Sequence, residues 1–230
     1  VRPGAASELS SYTDMGDAKR GVKTTSGIVY VLDSGQRFRV FDINQLRDLG
    51  WDYGALPVAD DAQVARYPDA GYLARVITAG GPNWLIQSGA RREVVDLDLL
   101  PRFGIPATTS RVSPAMIADY EISAPVTAVG VYRDATHPYR LQTDAGVYGV
   151  PDAASGTAIA RSARELTSES FALMPASSTM PIRIASGGRS FVMVDGGWLE
   201  VNAADYPTTL PFTRLPVGAA EGLPAVRRVS

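Results

Sequence analysis

The side chains that could run a reaction are few and scattered. His137, in Asp134-Ala-Thr-His-Pro138, is the one imidazole among 230 residues, and there is no cysteine. That removes thiolate nucleophiles, disulfide frameworks, zinc ribbons, iron–sulfur centres and multi-histidine metal sites together. His137 falls between two expected strands, where a solvated loop position is the plain reading. No serine has the G-x-S-x-G context of a hydrolase elbow. Neither a G-x-x-x-x-G-K-[ST] phosphate loop nor a G-x-G-x-x-G turn occurs, and there is no D-x-[DN]-x-[DN]-G calcium loop. The nearest approach to paired acids is Asp60 with Asp61, and Asp96 with Asp98. Two carboxylates flanking a bond would suit glycoside hydrolysis. Asp96, however, reads as a helix cap, and catalytic acids would have to converge from distant parts of the chain. The expectation is a non-enzyme with no metal or cofactor, a carboxylate-based glycan-active enzyme standing as the remote alternative.

Binding chemistry is better represented. The 22 basic residues comprise 20 arginines and 2 lysines, against 24 acids and a net charge of −2. This is too balanced for a nucleic-acid binder working by bulk charge. Arg37, Arg39, Arg91 and Arg92 nevertheless cluster on equivalent hairpins. They read either as a solvated strand face or as an anion site exploiting the bidentate guanidinium. Among the aromatics, Trp198 shares its slot with Arg37 and Arg91, where it could stack on a sugar ring or pack between units. Trp51 and Tyr53 follow the first expected helix. The candidate ligand-binding set is therefore Trp198, Arg37, Arg91, Arg92, Trp51 and Tyr53.

The elements that must position these residues repeat along the chain. Ile28–Val40 matches Pro82–Val94 at an offset of 54: Tyr30/Trp84, Ser34/Ser88, Gly35/Gly89, Arg37/Arg91 and Val40/Val94. The match runs on through Asp42/Asp96, Leu46/Leu100 and Gly50/Gly104. Weaker copies begin near Tyr139 and Phe191. Each copy opens on an aromatic with an aliphatic two residues on, the period of a strand. A Gly-containing turn and a return strand follow. Asp42 and Asp96 suit helix caps, and Gly50 and Gly104 suit helix stops. A second short helix is expected at 60–67, 113–120 and 167–174, and another strand leads to the next hairpin.

The fold class read from this pattern is α+β, with four tandem units, each a three-stranded antiparallel meander followed by two short helices. Boundaries fall at 1–17 (tail), 18–70, 71–123, 124–177 and 178–218 (a degraded fourth unit), and 219–230 (tail). A unit of about 50 residues buries little apolar surface alone, so units are expected to pack on one another, in pseudo-twofold pairs or as a linear array. No apolar run approaches the ~20 residues of a membrane span. The first residue is Val1 rather than methionine, which reads as a processed product or a fragment. Membrane contact would then come only through a segment outside it.

The pattern aromatic-aliphatic-x-Gly-x-Arg-x-x-Val, with its helix ending in Gly and a short helix closing at Tyr67-Pro68, resembles tandem envelope modules of exported actinobacterial proteins. Some of these accompany peptidoglycan hydrolases. Leu141-Gln-Thr-Asp-Ala-Gly-Val-Tyr-Gly-Val-Pro-Asp152 is similar to a stretch in the periplasmic part of EccB, the anchored B component of type VII secretion. The resemblance covers roughly residues 20–218. It implies an extracytoplasmic, non-catalytic repeat module. Its partner would be a cell-envelope polysaccharide or an envelope protein, making it a glycan-binding anchor or a protein–protein scaffold.

Overall fold

The computed structural model describes residues 20–128, 130–136, 139–143, 146–149, 163–176, 178–179, 183–194, 197–202, 204 and 213–214. Both expected tails, His137 and most of the degraded helical part of the fourth unit lie outside these residues. The architecture is α+β and mostly sheet.

Four sheets follow one another along the chain. The first contains β1 (Gly21–Thr24), β2 (Val29–Asp33), β3 (Gln36–Arg39), β4 (Val58–Ala59) and β5 (Asp69–Tyr72), in spatial order β4-β1-β2-β3-β5. The second contains β6 (Val76–Thr78), β7 (Asn83–Gln87), β8 (Ala90–Val94), β9 (Thr109–Arg111) and β10 (Glu121–Val126), in order β10-β8-β7-β6-β9. The third contains β11 (Gly130–Arg133), β12 (Arg140–Thr143), β13 (Gly146–Gly149), β14 (Arg164–Glu165) and β15 (Ser178–Thr179), in order β14-β11-β12-β13-β15. The fourth runs β18-β17-β16-β19, from β16 (Arg183–Ser186), β17 (Arg189–Val194), β18 (Gly197–Val201) and β19 (Thr213–Arg214).

These are mixed sheets, not the simple meanders expected. In the first three, the antiparallel hairpin strands are flanked on both sides by short parallel strands. The difference comes from segments whose pairing role leaves little periodicity. Residues 72–77, whose alternation predicts one strand leading to the second hairpin, divide: Asp69–Tyr72 closes the edge of the first sheet beside β3, and Val76–Thr78 opens the second. Likewise, 125–131 divides into the end of β10 and the start of β11.

Local chemistry explains the elements. Ser34-Gly35 and Ser88-Gly89 form the two-residue hairpin loops, all four residues at positive φ. That is the turn whose twist matches the strands it joins. Helix α1 (Ile43–Asp48) begins after Asp42, whose carboxylate accepts from Gln45 N at 2.7 Å. Its counterpart Leu97–Phe103 is a 3-10 helix. Pro101 has no N–H to give an α-helical ladder, and Gly104 ends it in the left-handed conformation. The second short helices are α2 (Asp61–Val64), α3 (Pro114–Ala118) and α4 (Ser168–Ala172). Asp60, Ser113 and Thr167 cap them, each side chain accepting a backbone N–H of the first turn.

The chain divides into two compact units, residues 1–47 with 51–73, and 48–50 with 74–230. In the first, Val31, Phe38, Val40, Leu46, Leu56, Val64 and Leu73 are buried. Gln45 is buried as well and fully engaged, accepting from Phe41 N and donating to Leu73 O, both at 2.7 Å. In the second, Val76, Leu85, Val94, Leu100, Ile105 and Val126 form one core cluster. Tyr132, Leu166, Phe171 and Met174 form another, on which Val95 and Val147 pack.

One glycine in the first unit is set by close approach. A Cβ on Gly21 would lie 2.6 Å from Trp51 Cζ3 and 2.7 Å from Cε3. Gly21→Ala is expected to lower stability by about 1–3 kcal/mol through overpacking, with Gly21→Ala/Trp51→Leu recovering part of the loss. Urea unfolding measures both; equal midpoints for wild type and Gly21→Ala would contradict the packing.

Candidate functional site

Three of the four arginines offered by the sequence for anion binding, Arg37, Arg91 and Arg92, make internal contacts, while Arg39 is exposed. Arg37, on β3, lies over the Tyr30 ring (5.6 Å), and its Nη1 donates to Val64 O at the end of α2 at 3.2 Å. Arg91, on β8, lies over Trp84 (5.1 Å), and its Nη1 donates to Ile117 O near the end of α3 at 2.9 Å. Helix ends leave carbonyls without intrahelical partners, and a guanidinium can satisfy them while its flat face rests on a ring. The third sheet uses the same device from a different place. Arg140, on β12, lies 4.0 Å over the Phe171 ring and donates to Phe171 O and Met174 O at the end of α4. In the fourth sheet Arg189 lies over Phe191 (5.0 Å) and pairs bidentately with Glu200, at 2.9 and 2.6 Å. Of the other candidates, Arg92 donates to Ala124 O (2.8 Å) and Gln87 Oε1 (3.1 Å). Trp51 packs on Gly21. Tyr53 donates to Gly27 O at 3.2 Å, with Lys23 Nζ 4.2 Å above its ring. Trp198 is paired through its backbone with Met193; its side chain lies outside the described residues.

Within the second unit the face of the second sheet is covered by the segment that enters α4. Glu93, buried on β8, accepts from Thr167 N (3.0 Å) and Thr167 Oγ1 (2.7 Å), while that hydroxyl accepts from Ser170 N at 3.3 Å. One carboxylate thus anchors the capping residue of another sheet's helix. Arg164–Asp96 and Arg91–Glu169 ion pairs, both 3.4 Å, flank it. Val95 packs on the cluster of Tyr132, Leu166, Phe171 and Met174. Trp84 and Ile86 are buried on the same face.

The first sheet presents the corresponding positions open. Phe41 is 71% exposed and Tyr72 53%, their rings 5.5 Å apart edge to face. Arg39 lies 5.4 Å over Tyr72. Beside them a cleft of about 300 Å³ is lined by Ser26, Ile28, Arg39, Phe41, Ile43 and Tyr53, among others. Across the cleft's Ser26 rim, Asp61 accepts from Ser26 N (3.1 Å), Ser26 Oγ (2.7 Å) and Thr25 Oγ1. Those hydroxyl bonds, Ser26 first, bring its carboxyl down to about 2. The Gly71 N–H, and then the Arg37 charge, hold Asp69 below its ordinary value. Burial raises the Tyr132 phenol and lowers Arg140. Among the described residues no three acids or imidazoles gather to hold a metal. The arrangement offers contact surface and hydrogen bonds. The repeat offset signals Arg37 and Arg91, but it misses Arg140, whose guanidinium comes from the neighbouring strand, and it gives no sign of the Glu93–Thr167 contact.

Two outcomes follow. Arg91→Ala should cost about 1–3 kcal/mol in urea unfolding, from the lost ring contact and the stranded Ile117 carbonyl. Arg91→Lys should recover only part, because an ammonium lacks the planar fork; unchanged stability in Arg91→Ala would mean that the contact holds nothing. Asp61 should titrate near 2, against the ordinary 3.8. A carboxylate with a lowered folded-state value contributes fully above the unfolded value and loses that contribution as pH falls through the folded one. Amide shifts of Thr25 and Ser26 followed by NMR should therefore hold down to about pH 3 and then move with Asp61. Titration of Asp61 at its ordinary value, with those amides silent, would contradict the clamp.

No family model matches the chain, and no curated protein matches it in sequence. Solved structures do resemble it at low similarity. One is the periplasmic assembly of the ESX-5 inner membrane complex, at 12% identity over 96% of this chain and 63% of that one, with a TM-score of 0.22. Another is an intact ESX-5 inner membrane complex, at 13% identity, 96% and 81% coverage and a TM-score of 0.20. A third is the EccB3 dimer of the ESX-3 core complex, at 11% identity, 90% and 97% coverage and a TM-score of 0.20. The chain spans under two thirds of the length of the first of these. At such scores the likeness carries no functional argument.

Proposed function

We propose that this chain is a non-catalytic scaffold module of the cell envelope, built of four related sheet units, that works by protein–protein contact. The observation that carries the reading is the Glu93–Thr167 contact: one sheet face grips a strand and capped helical turn from another sheet through a carboxylate, an apolar side chain and flanking ion pairs. This internal contact shows the kind of surface with which such a sheet face can hold another polypeptide segment. The sequence candidates for glycan or anion binding, Arg37, Arg91, Arg92 and Trp51, are meanwhile spent on internal contacts. The extracytoplasmic placement rests on the resemblance of residues 141–152 to the EccB stretch. No helix among the described residues is long and apolar enough to cross a membrane.

The test separates protein from glycan. Full-length chain carrying a photo-crosslinker in place of Val58, which is 62% exposed, should give discrete protein adducts in intact envelopes. It should stay in the supernatant when spun with protein-free cell walls. Saturable co-sedimentation with the stripped walls, and no protein adduct, would contradict the scaffold reading and restore the glycan one.

A further inference from the structure

The first and second sheets carry the same face in the same register: Tyr30 and Arg39 pair as Trp84 and Glu93 do, and Leu32 with Arg37 as Ile86 with Arg91. In the second sheet that face is covered by residues 164–174, with Glu93 on the Thr167 cap and Val95 on the apolar cluster. In the first sheet Arg39 stands where Glu93 stands, and Phe41 where Val95 stands. Phe41 is 71% exposed against a half-buried Val95, and Arg39 is exposed against a Glu93 that is 4% exposed. Asp69, the nearby carboxylate, is hydrogen-bonded to Gly71 N and Arg37, and the Arg39 charge acts on it as well, without forming an ion pair. Among the described residues the Arg39 guanidinium has the Tyr72 ring and no carboxylate ion pair.

We propose that this face of the first sheet docks a segment of a partner protein with the same shape as residues 164–174, a short strand entering a capped helical turn, but with an acidic cap. The inference rests on the scaffold reading and names its surface. The charge at the anchoring position decides the partner's chemistry. A carboxylate at 93 takes a cap that donates, through Thr167 N and its hydroxyl. A guanidinium at 39 can only donate, and among helix-capping side chains the acceptor that also complements its charge is aspartate. Such charge-assisted bonds are the stronger kind, so an acidic cap is favoured over a Thr cap, whose hydroxyl can accept from a guanidinium but carries no charge. Phe41, larger than Val95 and stacked edge to face on Tyr72, supplies the aromatic anchor that interface hot spots favour. The adjoining cleft beside Ile43 and Tyr53 receives the partner's apolar residue that follows its cap, as Phe171 follows Thr167.

The experiment is fluorescence anisotropy with two labelled peptides of residues 163–175, one native and one with Thr167→Asp, titrated with full-length chain. Wild type should prefer the Asp peptide by about tenfold or more. Arg39→Glu should reverse the preference, and Phe41→Ser should weaken both peptides by about tenfold. Circular dichroism and thermal unfolding confirm that these exposed-site variants are folded. Equal binding of the two peptides, an unchanged preference in Arg39→Glu, or no binding of either overturns the proposal. So does a dimer in sedimentation equilibrium that Arg39→Glu dissolves, since the face would then belong to a second copy. If the peptides fail while Val58 adducts to envelope proteins persist, only this face is wrongly assigned. If the adducts are absent, the scaffold reading itself fails.

Discussion

The architecture depends on one recurring contact, an arginine guanidinium laid over an aromatic ring with its N–H groups on the carbonyls that end a short helix. Helices of four or five residues do not hold themselves together in water; the nucleus costs more than so few hydrogen bonds return. Here α2, α3 and α4 are fixed at both ends. A side-chain cap holds each start, and Arg37, Arg91 or Arg140 holds each finish. The ring beneath each guanidinium comes from a hairpin strand in the first two sheets and from the helix itself in the third. The contact therefore joins helix to sheet and adds to what apolar burial supplies.

This accounts for two arginines that first looked like function. The role needs a planar, forked, weakly hydrated cation, and arginine fills it at 37, 91 and 140. Lysine serves elsewhere, as at Lys23 over Tyr53. The proposed docking face lies where the two hairpins differ: Arg39 for Glu93 and Phe41 for Val95, positions that the first sheet leaves exposed. Where the first two hairpins match, at Arg37 and Arg91, the side chains hold the fold; where they differ, at 39 and 93, they distinguish one face from the other.

Much of this was legible in the sequence. The period-two aromatics gave the hairpins, Ser-Gly the turns, Asp42 and Asp96 the caps of the first helical turns, and Gly50 and Gly104 the stops. The flanking parallel strands were not legible, because two-residue pieces such as Val58–Ala59 and Arg164–Glu165 have no periodicity of their own and exist only as partners of β1 and β11. The internal contacts of Arg37 and Arg91 were not legible either. An Arg at alternate strand positions looks solvent-facing, and nothing local shows that a helix end 26 or 27 residues later returns to meet it. Arg140 escaped entirely because the role moved from the return strand to the first strand while geometry, not spacing, was kept. Glu93 reads as an exposed strand charge until Thr167 is placed on it.

Native-state hydrogen exchange, read by mass spectrometry on the full chain, reaches the central contact most directly. If the guanidiniums clamp the short helices to their sheets, amides at 64–67, 117–120 and 171–174 will exchange almost as slowly as those of β2, β7 and β12, because they open only when the sheet does. If those helical turns exchange at the rate of free loops while the strands stay protected, the arginines do not hold the architecture together and the account is wrong.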